Sequence, residues 1–288
     1  MSYIKIKGQN FKDQNSGEAI KIHYQDLGKG QPVILIHGWP LSHEMWEYQI
    51  NDLVEGGYRV IAYDRRGFGK SSKPWDGYDY NTLTNDLKNI IDQLDLDDVI
   101  LVGFSMGGGE AVRYISTYGD ERISKLVLLG SVTPFMLKTN DNPKGVDQSV
   151  FDEMMNNLKN DRIGFLDDFG QRFFGVTMIK QPLSKPLLEY YRMLCSIASP
   201  RATQECAKSF ASTDFRPDMS TIKIPTLIIH GDADKTVPIE ATGEQAAKMI
   251  SDSNFIVYEG APHGFFYTEK EKLNKDLISF IQESVLTH

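Results

Sequence analysis

The chain has 288 residues, 41% of them hydrophobic and 24% charged, with a formal net charge of −8. That composition is ordinary for a globular protein and excludes disordered, collagen-like and disulfide-scaffold classes. The acidic balance, with no run of Lys or Arg longer than two, argues against a nucleic-acid partner, and no apolar stretch approaches the roughly 18 residues a membrane span needs.

Taken from the N-terminus, Tyr3-Ile-Lys-Ile-Lys and Ile20-Lys-Ile-His-Tyr alternate with period two and predict an antiparallel hairpin at a sheet edge. The opening MSYIKIKGQNF has no apolar signal core and no small-residue cleavage site, so no signal peptide is expected. Val33–Ile36, Val60–Tyr63, Val99–Val102, Leu126–Leu129, Thr226–Ile229 and Phe255–Tyr258 then follow as short, continuous apolar runs. Continuous runs, unlike alternating ones, suit strands of a parallel sheet covered on both faces. Amphipathic helix patterns over 44–55, 82–94, 106–118, 239–250 and 269–284 separate most of these runs, which predicts an α/β fold with right-handed crossovers.

The rhythm breaks from about Pro134 to Pro217. No strand signal occurs there; Met- and Phe-rich, weakly helical stretches are punctuated by Pro143, Pro182, Pro186 and Pro200. The expected organisation is a core of residues 1–133 and 218–288 with a helical cap, 134–217, over one end of the sheet. Cys195 and Cys206 both fall in the cap and suit neither a disulfide framework nor a zinc site. A reduced, cytoplasmic protein is the expectation.

The sharpest chemical signal is Gly103-Phe104-Ser105-Met106-Gly107, directly after a strand and directly before a helix. G-x-S-x-G alone is weak, but this strand–turn–helix context is the one in which a serine nucleophile is mounted. Small flanking residues let strand and helix approach, and the helix N-terminus favours an oxyanion above Ser105. A serine hydroxyl needs a base, and the base an orienting acid. His263, in the loop Glu259-Gly-Ala-Pro-His-Gly264 after the last strand, is the candidate base; His230 lies inside a strand, where a structural role is expected. The loop His230-Gly-Asp232-Ala-Asp234-Lys-Thr-Val-Pro238 offers two acids. Asp234 reaches further toward the His263 loop and is the choice, while Asp232 remains the alternative, able instead to hold the turn through backbone N–H groups. Oxyanion donors are expected from the backbone N–H groups of Met106 and of Trp39, in the His37-Gly38-Trp39-Pro40 loop. His37 is expected to prop that loop.

These segments, with Asp64-Arg-Arg-Gly-Phe-Gly-Lys-Ser-Ser72, run in order from residue 37 to 264 and resemble the α/β-hydrolase superfamily, closest to the bacterial cofactor-free haloperoxidase and aryl-esterase group. The resemblance implies an eight-stranded, mostly parallel sheet under a helical cap, no metal and no organic cofactor. It places the acid at the fourth position of a G-x-x-D element, which is Asp234. It makes Asp64-Arg65-Arg66 a structural loop in preference to an anion site. Trp39, Phe104, Phe135, Phe169 and Phe174 are expected to line the substrate pocket, with Phe165 and Phe173 as further candidates. The function expected is a serine esterase for small-molecule esters with small acyl groups, with perhydrolysis as a second activity when peroxide replaces water. A lactone, amide or diketone C–C bond cleaved by the same triad is the alternative, and a non-catalytic small-molecule receptor is a remote one. Haloalkane dehalogenase and epoxide hydrolase are disfavoured, because their elbow carries Asp where this chain has Ser105. A homo-oligomer remains open.

Overall fold

Short β-branched runs flanked by glycine-rich turns assemble into one sheet, which the computed structural model shows together with its helices for residues 2–6 and 19–283. The strands are β1 (Ser2–Ile6), β2 (Ile20–Gly28), β3 (Pro32–Ile36), β4 (Arg59–Tyr63), β5 (Val99–Phe104), β6 (Ile123–Leu129), β7 (Thr226–Gly231) and β8 (Ser253–Tyr258). Their spatial order is β1-β2-β4-β3-β5-β6-β7-β8. β1 with β2 and β2 with β4 pair antiparallel, and every other pair is parallel. The expected edge hairpin is therefore present, and its turn lies outside the described residues.

Helices α1 (Glu47–Glu55), α2 (Tyr80–Gln93) and α3 (Met106–Tyr118) join the strands of the first half. Between β6 and β7 the chain makes α4 (Gln148–Asn160), α5 (Arg162–Phe173), α6 (Lys185–Ile197), α7 (Pro200–Ser212) and the single turn α8 (Arg216–Met219). α9 (Gly243–Met249), α10 (Phe265–Thr268) and α11 (Lys270–Gln282) complete the fold. Two of the prolines that punctuate 134–217 start helices. Pro186 and Pro200 occupy first turns, behind Ser184 and Ser199, whose hydroxyls accept the backbone N–H of Leu187 and Ala202. No helix among the described residues is long and apolar enough to cross a membrane.

The central strands are apolar because both faces are covered: all six residues of β5 are buried. The outermost strand β8 leaves Val257 45% exposed, as an edge permits. One boundary differs from the sequence reading. β6 begins at Ile123, three residues before the apolar run, because the polar Lys125 is accommodated inside the protein. Its Nζ donates to the carbonyls of Phe280, Ile281 and Glu283 and so caps the end of α11. α9 is shorter than the predicted 239–250, since Pro238–Thr242 is taken up by turns, including Thr242 N–H to Ile239 O.

Candidate active site

Parallel strands leave their carboxyl ends on one edge of the sheet, and the loops that follow β3, β5, β7 and β8 meet there. Ser105 forms the corner between β5 and α3 with φ 53° and ψ −118°, a positive-φ conformation that a non-glycine residue holds only under strain. The corner can close because Gly103 has no side chain: a Cβ there would lie 2.6 Å from the Gly107 carbonyl oxygen and the Gly108 Cα. Ser105 N–H donates to Leu129 O (2.8 Å), and the Ser105 carbonyl accepts Gly108 N–H (3.1 Å).

Across this corner, His263 Nε2 lies 2.9 Å from Ser105 Oγ and His263 Nδ1 lies 2.5 Å from Asp234 Oδ2. A carboxylate only accepts, so Nδ1 carries the proton and Nε2 is left free to receive one from the serine hydroxyl. Asp234 is held in turn: its Oδ1 accepts the backbone N–H groups of Thr236 and Val237, both at 2.8 Å. Burial by itself would push the Asp234 carboxyl up, but the neighbouring His263, hydrogen bonds from His230 and His263, and the His230 charge hold it well below the usual carboxylate range. Ser105, His263 and Asp234 are all buried.

The alternative acid, Asp232, is exposed and accepts Gly260 N–H at 2.6 Å, so it ties the loop after β8 to the end of β7. His230 takes a part that its place in a strand concealed. Its Nε2–H donates to Val237 O (2.9 Å) and lies 3.3 Å from Asp234 Oδ2, which puts a second histidine on the same carboxylate.

The loop after β3 is preset by His37. Arg65 N–H donates to His37 Nε2 (2.9 Å), so Nδ1 bears the proton and donates to Gly38 O (2.8 Å). Burial and the Arg65 cation lower the His37 pKa well below its ordinary value and keep the ring neutral. Because Gly38 C=O and Trp39 N–H belong to one peptide plane, fixing the carbonyl also fixes the direction of that N–H. The Trp39 and Met106 N–H groups have no hydrogen-bond partner among the described residues.

The Asp64-Arg65-Arg66 side chains are buried and turned inward. Arg65 pairs with Glu110, Arg66 with Asp86, and Asp64 with His43 and His23. His23, His43 and Asp64 are the group of described residues whose composition matches a metal site, but both Asp64 oxygens already accept backbone N–H groups, from His43 and Lys70.

A cavity of about 50 Å3 opens at Ser105. Trp39 and Phe169 line it as expected, joined by Val132, Met136, Val150, Met154, Phe210 and Val237. Three expected lining residues lie elsewhere. Phe104 is enclosed by Trp46, Phe173, Phe265 and Phe266 and supports the His263 ring (centroids 4.9 Å apart) from behind. Phe135 packs under the Arg216 guanidinium (5.0 Å), and Phe174 stands on Tyr191 beside a separate, smaller cavity between α5 and α6. Phe173 seats its ring edge-on to His263 (4.8 Å) while its carbonyl accepts Gly264 N–H, so α5 braces the histidine loop. Composition marks these aromatics as apolar, but it carries no information about which way each ring points.

Comparison with known proteins places this geometry. Residues 31–270 match the family model of the α/β hydrolase fold. A non-heme chloroperoxidase of Kitasatospora aureofaciens is 40% identical over 268 residues, spanning 92% of this chain and 98% of the relative. A bifunctional esterase/perhydrolase of Acinetobacter calcoaceticus is 35% identical, with 92% and 97% covered. Among solved structures, the bromoperoxidase from Bacillus anthracis superimposes with a TM-score of 0.92 at 46% identity, covering 98% of this chain and 100% of that one.

Proposed function

The chain belongs to the α/β-hydrolase family, and from that membership we propose that Ser105, His263 and Asp234 are a catalytic triad cleaving small-molecule carboxylic esters through an acyl-enzyme. The observation that carries the reading is the continuous Ser105–His263–Asp234 hydrogen-bond chain, 2.9 Å and 2.5 Å long in its two links. Ser105 Oγ attacks the ester carbonyl as its proton passes to His263 Nε2. The backbone N–H groups of Trp39 and Met106 receive the oxyanion, at the N-terminus of α3 where negative charge is favoured. Collapse breaks the C–O bond, and the alcohol leaves with the proton from His263. Water then attacks the acyl-enzyme, gives a proton to His263, and releases the carboxylic acid as Ser105 recovers its hydrogen. The segment 134–217 acts as a cap, since it contributes Met136, Val150, Phe151, Met154, Phe169 and Phe210 to the cavity wall. A small cavity suits small acyl groups.

The relatives named as haloperoxidases and as an esterase/perhydrolase favour a second activity of the same site. Hydrogen peroxide in place of water would release a peracid, and the peracid would oxidise bromide to hypobromous acid while becoming the carboxylate. Bromination should then require both a carboxylic acid or ester and Ser105.

Hydrolysis of p-nitrophenyl acetate, butyrate and octanoate tests the reading. Wild type should favour the short esters, and Ser105→Ala should lose at least about 10³-fold, with circular dichroism showing both folded. A folded wild type inactive on every ester would overturn it.

A further inference from the structure

The cavity at Ser105 is apolar, and its walls continue outward. Val150, Met154, Phe169 and Thr236 also border a second cavity of about 160 Å3, whose remaining lining includes the exposed side chains of Glu153, Asn157, Arg172 and Lys235. The second cavity is thus a vestibule open to solvent, sharing a wall with the site. Arg172 reaches it from the last turn of α5, and Lys235 from the loop that carries Asp234. Neither cation has an ion-pair partner among the described residues. Glu153, the vestibule carboxylate, has no such partner either, so the lining carries two cations against one anion on a protein whose net charge is −8.

We propose that Arg172 and Lys235 form an anion-recognition rim, and that the preferred substrates are esters whose chain ends in a carboxylate, held at the vestibule while the ester group lies at Ser105. The inference rests on the esterase reading. The chemistry follows from the two cavities. The inner one, bordered by Trp39, Val132, Phe151 and Phe210, takes an apolar chain and cannot hold an ion without a partner. The outer one offers two cations that have no ion-pair partner among the described residues. Solvent-exposed pairs are individually weak, and worth up to about fivefold each at low salt. They act on capture and orientation of a charged substrate, and so on kcat/KM, and salt screens them over a Debye length of about 10 Å at 0.1 M.

The test compares matched esters that differ only in the terminal group: monomethyl adipate with methyl hexanoate, and 4-acetoxybutyrate with butyl acetate. The readout is the kcat/KM ratio of charged to neutral member in wild type, Arg172→Gln, Lys235→Gln and the double variant. In wild type at low ionic strength at least one pair should favour the charged ester by about tenfold. The ratio should fall in each single variant, approach one in the double variant, and fall in wild type as sodium chloride is raised to 0.5 M. Arg172→Glu should invert it. A purely structural role for these side chains would lower both members of a pair together and leave the ratio unchanged, and that result overturns the proposal. So does a wild-type ratio near one for both pairs. If wild type cleaves none of the four esters, it is the esterase reading that fails.

Discussion

Two buried aspartates of this protein have nearly the same surroundings and different consequences. Asp64 accepts the backbone N–H groups of His43 (2.9 Å) and Lys70 (2.8 Å), takes His43 Nδ1 at 2.7 Å and has His23 Nδ1 at 3.3 Å. Asp234 accepts the backbone N–H groups of Thr236 and Val237, takes His263 Nδ1 at 2.5 Å and has His230 Nε2 at 3.3 Å. Burial raises each carboxyl and the histidines outweigh it, so both lie well below the ordinary carboxylate value. The difference is on the far side of the histidine. His263 presents its free nitrogen to Ser105 at a cavity, whereas His43 Nε2 is buried with no hydrogen-bond partner among the described residues. An Asp–His pair is therefore a positioning device in either place. It becomes an acid–base device only where a nucleophile and space for a substrate meet it.

Parallel substitutions at the two sites test that distinction, and the largest contrast should come from the histidines. His263→Ala is expected to lower kcat/KM for p-nitrophenyl butyrate by about 10³-fold or more. His43→Ala should change activity per folded molecule by less than about threefold, while costing about 1–3 kcal/mol of stability for the donor it takes from a buried carboxylate. Equal activity losses would erase the distinction.

Removing the carboxylates comes next. Asp64→Ala should destabilise by about 3–5 kcal/mol in urea unfolding, because two buried histidines and two backbone N–H groups lose their acceptor, yet keep its kcat once folded. Asp234→Ala should lose activity before stability.

The acid limb gives a smaller, shared effect. Both carboxyls sit below their ordinary 3.8, so the stability they contribute is complete at higher pH and is lost as the pH falls below about 4 toward the folded-state values. Asp64→Asn should flatten the fall in unfolding free energy as the pH drops below about 4, by up to about 1.4 kcal/mol for each pH unit. An unaltered slope would mean that Asp64 is not held down in the native state.

The smallest expected effect is at His230. His230→Asn should lower kcat about tenfold with little change in KM, because Asp234 loses a second donor that fixes its orientation while the substrate cavity is untouched. A rise in KM at constant kcat would instead place His230 in substrate binding.

Much of the site can be read before folding, and the reason is local. The Ser105 corner needs a small residue immediately before and after the turn, so Gly103 and Gly107 appear within five positions of one another. Asp234 and His263 sit in short loops whose ends are marked by apolar strands. His230 was harder to read, since a histidine inside a buried run looks like core, and only the return of the chain at Val237 shows what its ring meets. The pocket was least legible. Phe104, Phe135, Phe169 and Phe174 are all buried aromatics in or near the predicted cap and elbow, and only Phe169 faces the cavity at Ser105.

The residue types and their order along the chain determined the α/β alternation, the elbow, the acid and base loops and the helical segment between β6 and β7. Each of those is written in short-range periodicity or in a turn that only certain residues can make. Tertiary structure alone decided the rest. It set the strand order, the second histidine on the Asp234 carboxylate, the direction of every cap aromatic and the meeting of Arg172 with Lys235 at one vestibule. Those outcomes depend on side chains from distant elements sharing space, and packing in three dimensions assigns each ring and each charge a neighbour that sequence separation does not reveal.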